Sequence, residues 1–410
     1  MSKVLGIIAE YNPFHNGHLY HLEQSKKITG SKYVVAVISG NFTQRGDTSI
    51  VDKWTKTKMA LEAGCDLVIE LPLVYAISSA ENFANGGIQI LNSLKVVDYV
   101  SFGAETSDIN VLDKIATILY EEPKEYKALL TTELNKGLAF PKARQNALMM
   151  YLNDIRDYAE ALSAPNNILG IEYIKALKKL KSKIQPVPIE RYETGYNDLS
   201  YTSDIASASA IRNIVKNGGF QPLKSLMPET SYQLLINQIK FGQAVNDLSV
   251  FEKQIIYNLR TMSIEEIANL PDVSEGLEYS LKKAVSMCNT LDELIENIKS
   301  KRYTLTRIQR ILLYSLLKLT KKDIEVSKKQ NPYIRVLGFN DKGKYLLSEA
   351  IKQNPRLEVI TSVKKFLDSS FNKNLINMLG KDILATNVYT IGYKNNSQSN
   401  LDYTSKIIIK

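Results

Sequence analysis

The chain has 410 residues, 44% hydrophobic and 23% charged, proportions of an ordinary folded protein that exclude a low-complexity or disordered chain. No stretch approaches the ~20 consecutive apolar residues of a membrane helix. Two cysteines, Cys65 and Cys288, exclude a disulfide framework and a cysteine metal site and fit a reducing cytoplasm, while the net charge of +9 leaves a polyanionic partner open.

The first residues, MSKVLGIIAEYNPFH, hold one lysine and a short apolar run without a small-residue cleavage site. They read as a first strand, not a signal peptide. Apolar, β-rich runs then recur at 33–39, 66–72 and 97–103, separated by helical patterns at about 17–27, 49–64 and 79–94. Buried strands alternating with helices of this length predict βαβ crossovers and a Rossmann-like parallel sheet, covered on both faces, in an α/β fold. Residues 108–183 read mainly as helices, 185–192 as a return to strand, and 207–219 as a helix with serine at its start and Gly-Gly at its end. The length suggests two or three domains. The expected boundaries give a nucleotide-binding catalytic domain over 1–220, a mainly helical basic region over 221–330, and a small C-terminal α/β unit over 331–410. In that last unit YIRVLGF and LEVITSV are the expected strands. No internal repeat is visible.

The whole chain has three histidines, His15, His18 and His21, all within EYNPFHNGHLYHL. The stretch lies at the carboxyl end of the first strand, where NPF breaks the strand and a helix begins. Ligands of open α/β sheets bind at that end, and the free N–H groups of a helix N-terminus favour phosphate. Imidazoles at H-x-G-H spacing can donate to phosphate oxygens, and Gly17 leaves room for a nucleotide to approach. Two other readings compete. The histidines are ordinary structural side chains, or H-x2-H-x2-H binds zinc, for which i, i+3, i+6 drifts around a helix and no further ligand is evident. No metal site is assigned, and His21 is expected to be a bystander.

HNGH after a first strand resembles the HxGH signature of nucleotidylyltransferases and class I aminoacyl-tRNA synthetases. SASAIR at 207–212 resembles the second nucleotidylyltransferase signature, in which Ser207 and Ser209 would cap a helix and meet phosphate while Arg212 supplies a charged fork. Ala208 stands where many relatives carry a second hydroxyl. A simple capped surface helix is the alternative. No KMSKS-like element is present, which weighs against a synthetase.

The blocks GIIAEYNPFHNGHLYHL, ISGNFTQRGD, ELPLVYAISSAENFANGG, SFGAE, PNNILGIEY and YTLTRIQR together resemble the bacterial tRNA(Met) cytidine acetate ligase family. That resemblance implies ATP-dependent activation of acetate to acetyl-adenylate and transfer of the acetyl group to N4 of the wobble cytidine (C34) of elongator tRNA(Met), with magnesium accompanying ATP. It implies His15, His18 and Arg212 as catalytic residues. It also implies an ATP site built from Ile7, Ile8, Ala9, Glu10, Tyr11, Asn12, Pro13, Phe14, His15, Asn16, Gly17, His18 and Leu19. Gly103, Asn166, Arg191, Ser207, Ser209 and Arg212 extend that site. Asn166 or Asn167 can equally be a helix cap. Gln44 and Arg45 either face substrate or belong to a polar loop, and 78–82 is a candidate for the acetate side.

Residues 299–330 contain ten Lys or Arg and two acidic residues, a net of +8, so most of the excess charge lies in one segment. Leu305, Ile308, Leu312 and Leu316 at helical spacing are expected inside, leaving Arg307 and Arg310 nearer the exposed side. Arg302, Arg307, Arg310, Lys318, Lys321 and Lys322 are the candidate tRNA contacts, and Tyr303 is either a base-stacking side chain or, as is more common for such a tyrosine, a core edge. A solvated basic helix is the alternative. No membrane or protein partner is expected. Two other function classes stay open: a small-molecule cofactor adenylyltransferase, and a noncatalytic RNA-binding protein on the same scaffold.

Overall fold

A computed structural model describes residues 2–153, 156–191, 205–300 and 303–410. Its centre is one eight-stranded sheet. In chain order the strands are β1 (Val4–Ala9), β2 (Tyr33–Ser39), β3 (Leu67–Leu71), β4 (Tyr99–Ala104), β5 (Gln185–Glu190), β6 (Ile334–Phe339), β7 (Val359–Ile360) and β8 (Ile408–Ile409). The order across the sheet is β5-β4-β1-β2-β3-β6-β7, with β8 also paired to β6. The first five strands are parallel, and β6 joins β3 antiparallel. The five parallel strands match the sequence expectation to within one or two residues at each end.

Eight helices matter for the site: α1 (Asn16–Thr29), α2 (Lys53–Glu62), α3 (Ala80–Ser93), α4 (Ile109–Glu121), α5 (Pro165–Lys179), α6 (Ala208–Lys216), α7 (Leu305–Leu317) and α8 (Lys373–Tyr389). Successive strand residues point to opposite faces, and the core divides accordingly. Val4, Ile8, Val35, Val37, Leu67 and Ile69 pack with α3, α4 and α5 in one apolar cluster. Leu5, Ile7, Val34, Ala36, Ile38 and Val68 pack with α1, α2 and α6 in a second. Continuous apolar runs such as YVVAVIS are therefore what a sheet covered on both faces requires.

Capping sets the helix starts. Asp52 accepts Thr55 N–H at 2.8 Å, so α2 begins at Lys53 rather than at the expected 49, the preceding residues being held in the loop after β2. Ser207 accepts Ala210 N–H at 3.1 Å and opens α6 as expected.

The last eighty residues differ from the expectation in one respect. They do supply α/β elements, but β6, β7 and β8 extend the first sheet instead of forming one of their own. LEVITSV pairs over two residues only, and the terminal β8 was not anticipated. A buried charge cluster holds this edge. Lys53 Nζ lies 2.8 Å from Glu70 and 2.7 Å from Asp402, and Arg335 bridges Glu70 at 3.2 Å and Asp402 at 2.5 Å. All four are buried, and removing one member of such a cluster strands a charge away from water, at a cost of about 3–5 kcal/mol. The helical region after residue 220 is knitted to the loop after β2 as well. Val245 N–H donates to Ile50 O at 3.0 Å and Leu248 N–H to Asp47 Oδ1 at 2.8 Å.

Candidate functional site

Strand order reverses at β1, which has β2 on one side and β4 on the other. The crevice outside the carboxyl ends at such a reversal is where open α/β sheets bind ligands. A cavity of about 510 Å³ opens there, lined by Ile7 to Tyr11 from β1 and the turn after it, Phe102 and Gly103 from β4, and Ile189 to Arg191 from β5. Its other walls are His15, Gly17, His18 and His21 of the α1 turn, Gln44 and Arg45, Phe83 of α3, Asn166 and Tyr173 of α5, and Thr306 of α7.

The α1 N-terminus is built by the histidines. His15 is the N-cap residue, and its Nδ1 accepts Gly17 N–H at 3.1 Å. His18 closes the reciprocal bond, its Nδ1 accepting His15 N–H at 3.3 Å. The capping box thus uses imidazoles where Ser and Glu are usual. With each Nδ1 an acceptor, the proton of each neutral ring sits on Nε2, leaving an N–H to offer to a ligand. Burial pushes His15 down to about 3, and the Arg191 and Arg212 guanidiniums act in the same direction. Burial also holds His18 well below its ordinary value, helped by His15, His21 and Arg191. His21 is lowered to about 4 by burial and by Arg191. At neutral pH the rings are therefore uncharged donors.

Positive charge comes from arginine instead. Arg212 Nη1 donates to Asn12 O at 2.8 Å and Nη2 to Ser209 Oγ at 3.3 Å, tying α6 to the turn before α1. Arg191 follows β5, its N–H on Ala104 O at 3.0 Å. Arg45 lies within electrostatic reach of both, with Glu10 as counter-charge. Glu10 Oε1 accepts Gln44 N–H at 2.7 Å, and Gln44 Nε2 donates to Ser78 O at 3.0 Å, so the loop after β2 spans from β1 to α3. Beneath it Lys56 Nζ donates to Glu10 O at 2.9 Å, Ser39 O at 2.7 Å and Ser49 Oγ at 3.0 Å. Burial lowers Lys56 to about 7. Neutral imidazole donors at a helix N-terminus, ringed by three guanidiniums, suit a polyphosphate.

Residues 2–404 match the HIGH Nucleotidyl Transferase family model. The chain is 48% identical to the tRNA(Met) cytidine acetate ligase of Caldanaerobacter subterraneus subsp. tengcongensis over 99% of both chains. It is 46% identical to that of Acetivibrio thermocellus over 99% of this chain and 100% of the relative. The chain belongs to the tRNA(Met) cytidine acetate ligase family. Among solved structures it is similar to Thermotoga maritima TmcAL bound with alpha-thio ATP, with a TM-score of 0.92, 34% identity and 99% of each chain covered. The apo form of the same protein superposes with a TM-score of 0.94 at the same identity and coverage.

Within this family member the cavity gathers Ile7, Ile8, Ala9, Glu10, Tyr11, His15, Gly17, His18, Gly103, Asn166 and Arg191 of the sequence-expected ATP site. Asn12, Pro13, Phe14, Asn16 and Leu19 are not among its lining residues. Asn12 bonds Thr48 O at 3.0 Å and Ile50 N–H at 2.7 Å, and Asn16 bonds Ser225 O at 2.8 Å. Pro13 and Phe14 are buried, and Leu19 packs on the second apolar cluster. Ser207, Ser209 and Arg212 are not lining residues either, although Ile205 and Ala206, which precede them in the chain, are. Neither Asn166 nor Asn167 is the N-cap of α5, which is Ala164. Asn167 Oδ1 accepts Glu105 N–H at 2.9 Å, and the Glu105 carboxylate takes Asn166 Nδ2 at 2.6 Å and Asn167 N–H at 3.0 Å. Gly103 faces the Arg191 stem, which a Cβ would approach to 3.4 Å.

His21 also lines the cavity, its Nε2 3.2 Å from Ser101 Oγ. Phe83, Tyr173 and Thr306 were missed because nothing in their spacing distinguishes them from core or helix residues. Lys56 was missed because a lysine in an amphipathic pattern ordinarily reads as exposed.

The basic segment is arranged differently from the expectation. Leu305 is 39% exposed, whereas Ile308, Leu312 and Leu316 are buried and the second half of α7 is enclosed all round. Arg307 donates to Asp272 O at 2.9 Å and Ser274 Oγ at 2.7 Å, and lies 5.2 Å from the Tyr303 ring centroid. The Arg310 side chain is 11% exposed and paired with Asp272 at 2.7 Å. Both arginines thus serve packing against the 272–275 turn. Lys318, Lys321 and Lys322 are exposed; Arg302 lies outside the described residues.

Among the described residues no group of three or more His, Cys, Asp or Glu stands close enough to hold a metal ion. No described helix is long and apolar enough to cross a membrane.

Proposed function

We propose that this protein joins acetate to ATP as acetyl-adenylate and passes the acetyl group to N4 of C34 in elongator tRNA(Met). The observation that carries the reading is the HNGH capping box at the strand-order reversal, with Arg45, Arg191 and Arg212 around it, in a chain of this family.

A carboxylate oxygen of acetate attacks the α-phosphorus, the bond to the bridging oxygen breaks, and pyrophosphate leaves. The carboxylate is already a nucleophile, so the protein's task is alignment and stabilisation of charge on the leaving phosphates. In this reading the Nε2–H groups of His15 and His18 donate to phosphate oxygens, and Arg212 supplies the positive charge. Ser207 and Ser209 hold the α6 start, and Gly103, Asn166 and Arg191 flank the nucleoside. Magnesium would enter with the nucleotide phosphates, and no step is assigned to it. The cytidine amine then attacks the acetyl carbon and AMP departs.

For the RNA we keep Lys318, Lys321 and Lys322 as phosphate contacts, in a division where residues 1–220 carry the chemistry, 221–330 the RNA contacts and 331–410 the buttress of the sheet edge. In this reading the reaction takes place in the cytoplasm. The test is ATP–pyrophosphate exchange with and without acetate, followed by mass spectrometry of elongator tRNA(Met). Acetate-dependent exchange and acetylated cytidine are expected. Exchange that ignores acetate, as a cofactor adenylyltransferase would show, overturns the reading.

A further inference from the structure

The cavity has two chemically different sides. One is the α1 turn with its histidines. On the other, Ile8, Phe83, Phe102 and Tyr173 are each at most 7% exposed and belong to one apolar cluster under α3 and α5. Tyr173 is 1% exposed, and among the described residues its hydroxyl has no hydrogen-bond partner. A buried hydroxyl without a partner is destabilising by about 1–3 kcal/mol, so a cavity-lining one asks what it is kept for.

The walls around it have little slack. Tyr173 packs on Phe102 with ring centroids 5.7 Å apart. Gly170, on the same helix, lies so close to Phe102 that a Cβ would collide with the ring, and a Cβ on Gly87 of α3 would come within 2.6 Å of Ile8 Cδ1. Backbone thus backs the apolar side chains directly, which preorganises a small recess. Arg45 borders the cavity from the loop after β2. Tyr173, Arg45 and Glu10 all line this one cavity.

We infer that this side is the acyl subsite: the Tyr173 hydroxyl and the Arg45 guanidinium take the carboxylate, and Ile8, Phe83 and Phe102 enclose the methyl group. The inference rests on the acetate-activating reading and says where acetate sits within it. Burial and Glu10 push the Tyr173 phenol far above its ordinary value, so it stays a donor at any working pH. A neutral hydroxyl in apolar surroundings orients the carboxylate, and the Arg45 guanidinium supplies the charge that pairs with it. The rigid ring wall sets chain length, because each added methylene needs volume that a close-packed wall lacks.

The experiment compares wild type, Tyr173→Phe and Phe83→Ala in ATP–pyrophosphate exchange with acetate, propionate and butyrate. For Tyr173→Phe the KM for acetate rises about tenfold or more, as loss of a hydrogen bond to a charged group implies. Its KM for ATP stays at the wild-type value, and its melting temperature holds or rises because an unpartnered hydroxyl is removed. For Phe83→Ala the propionate-to-acetate ratio of kcat/KM rises about tenfold. If that variant does not fold, Tyr173→Phe decides alone. Wild-type exchange that requires acetate, with Tyr173→Phe leaving its KM unmoved or shifting the KM for ATP equally, overturns the subsite but not the ligase reading. Wild-type exchange without acetate overturns both.

Discussion

His18 Nδ1 accepts the backbone N–H of His15 at 3.3 Å, and the two rings lie 3.8 Å apart between centroids. Each ring therefore has a structural nitrogen that closes the helix start and a second nitrogen left for chemistry.

Asparagine imitates Nδ1 and glutamine imitates Nε2, so the two roles can be separated at position 18. His18→Asn keeps the cap and is expected to melt within a few degrees of wild type, while acetate-dependent exchange falls about 10²–10³-fold, as for loss of one preorganised donor. His18→Gln puts a side chain usual at the N3 position of a capping box there, so it melts like wild type too, and by imitating Nε2 it is expected to keep more of the rate than His18→Asn. Equal activity in both variants would remove the Nε2–H from the mechanism.

Acid should weaken the fold through the same rings. The folded values near 3 for His15 and near 4 for His21 lie below the unfolded 6.5, so below pH 6.5 the unfolded chain binds more protons. Stability is full above pH 6.5 and is lost progressively as pH falls toward 4 and 3. Urea midpoints at pH 7 and pH 5 measure this, and His15→Asn, which retains a good N-cap, should flatten the difference. An unchanged slope in that variant would contradict the buried neutral ring.

Arg212 joins two segments 200 residues apart through its bond to Asn12 O. Arg212→Lys keeps the charge but cannot reach Asn12 O and Ser209 Oγ together. Steady-state exchange kinetics should show a drop of about 10–100-fold in kcat/KM for ATP in Arg212→Ala, with Arg212→Lys recovering a minor part. Full recovery by lysine would reduce the residue to a point charge.

Gly46 has φ +79, and the backbone of Gln309 and Arg310 lies directly behind it. Gly46→Ala forces α7 away from the loop that carries Gln44 and Arg45, at a cost of about 1–3 kcal/mol. Thermal unfolding should register that loss, and exchange should slow because Thr306 and Arg45 share the cavity wall. A variant as stable as wild type would show that α7 is free to shift.

Reversing charge at Lys321 and Lys322 together should weaken tRNA binding and lessen its salt dependence, with acetate-dependent exchange unaltered. Arg310→Ala should behave otherwise, unfolding at lower temperature because it removes the charged partner of Asp272 and leaves only the Tyr314 hydroxyl on that carboxylate. Filter binding at two salt concentrations, beside exchange assays, separates the two outcomes. Loss of RNA binding without loss of stability in Arg310→Ala would restore that residue to the RNA surface.

The parallel strands, the glycine-bearing turn after β1 and the serine-capped α6 were legible because each is a local pattern. Apolar runs bounded by turn residues and caps act over a few residues, and YVVAVIS admits little besides a buried strand. His15 and His18 were legible for the same reason, since three histidines in seven residues at a strand end are conspicuous without neighbours. Their charge state was not, because it depends on burial and on Arg191 and Arg212, which arrive from far along the chain. Periodicity alone also placed Arg310 outward, and only the 272–275 turn packed against α7 makes it an internal ion pair.

By itself, then, the sequence determined the alternation of strands and helices, the histidine-bearing turn after β1 and the family to which the chain is similar. Tertiary structure decided that β6 and β8 complete the first sheet, that Tyr173 and Phe83 meet Arg45 in one cavity, and that α7 is a buried strut. The reason is reach. Propensity and capping act through a few consecutive residues, whereas strand-edge pairing, burial of Lys53 with Asp402 and the field around His15 depend on groups brought together only when the chain closes.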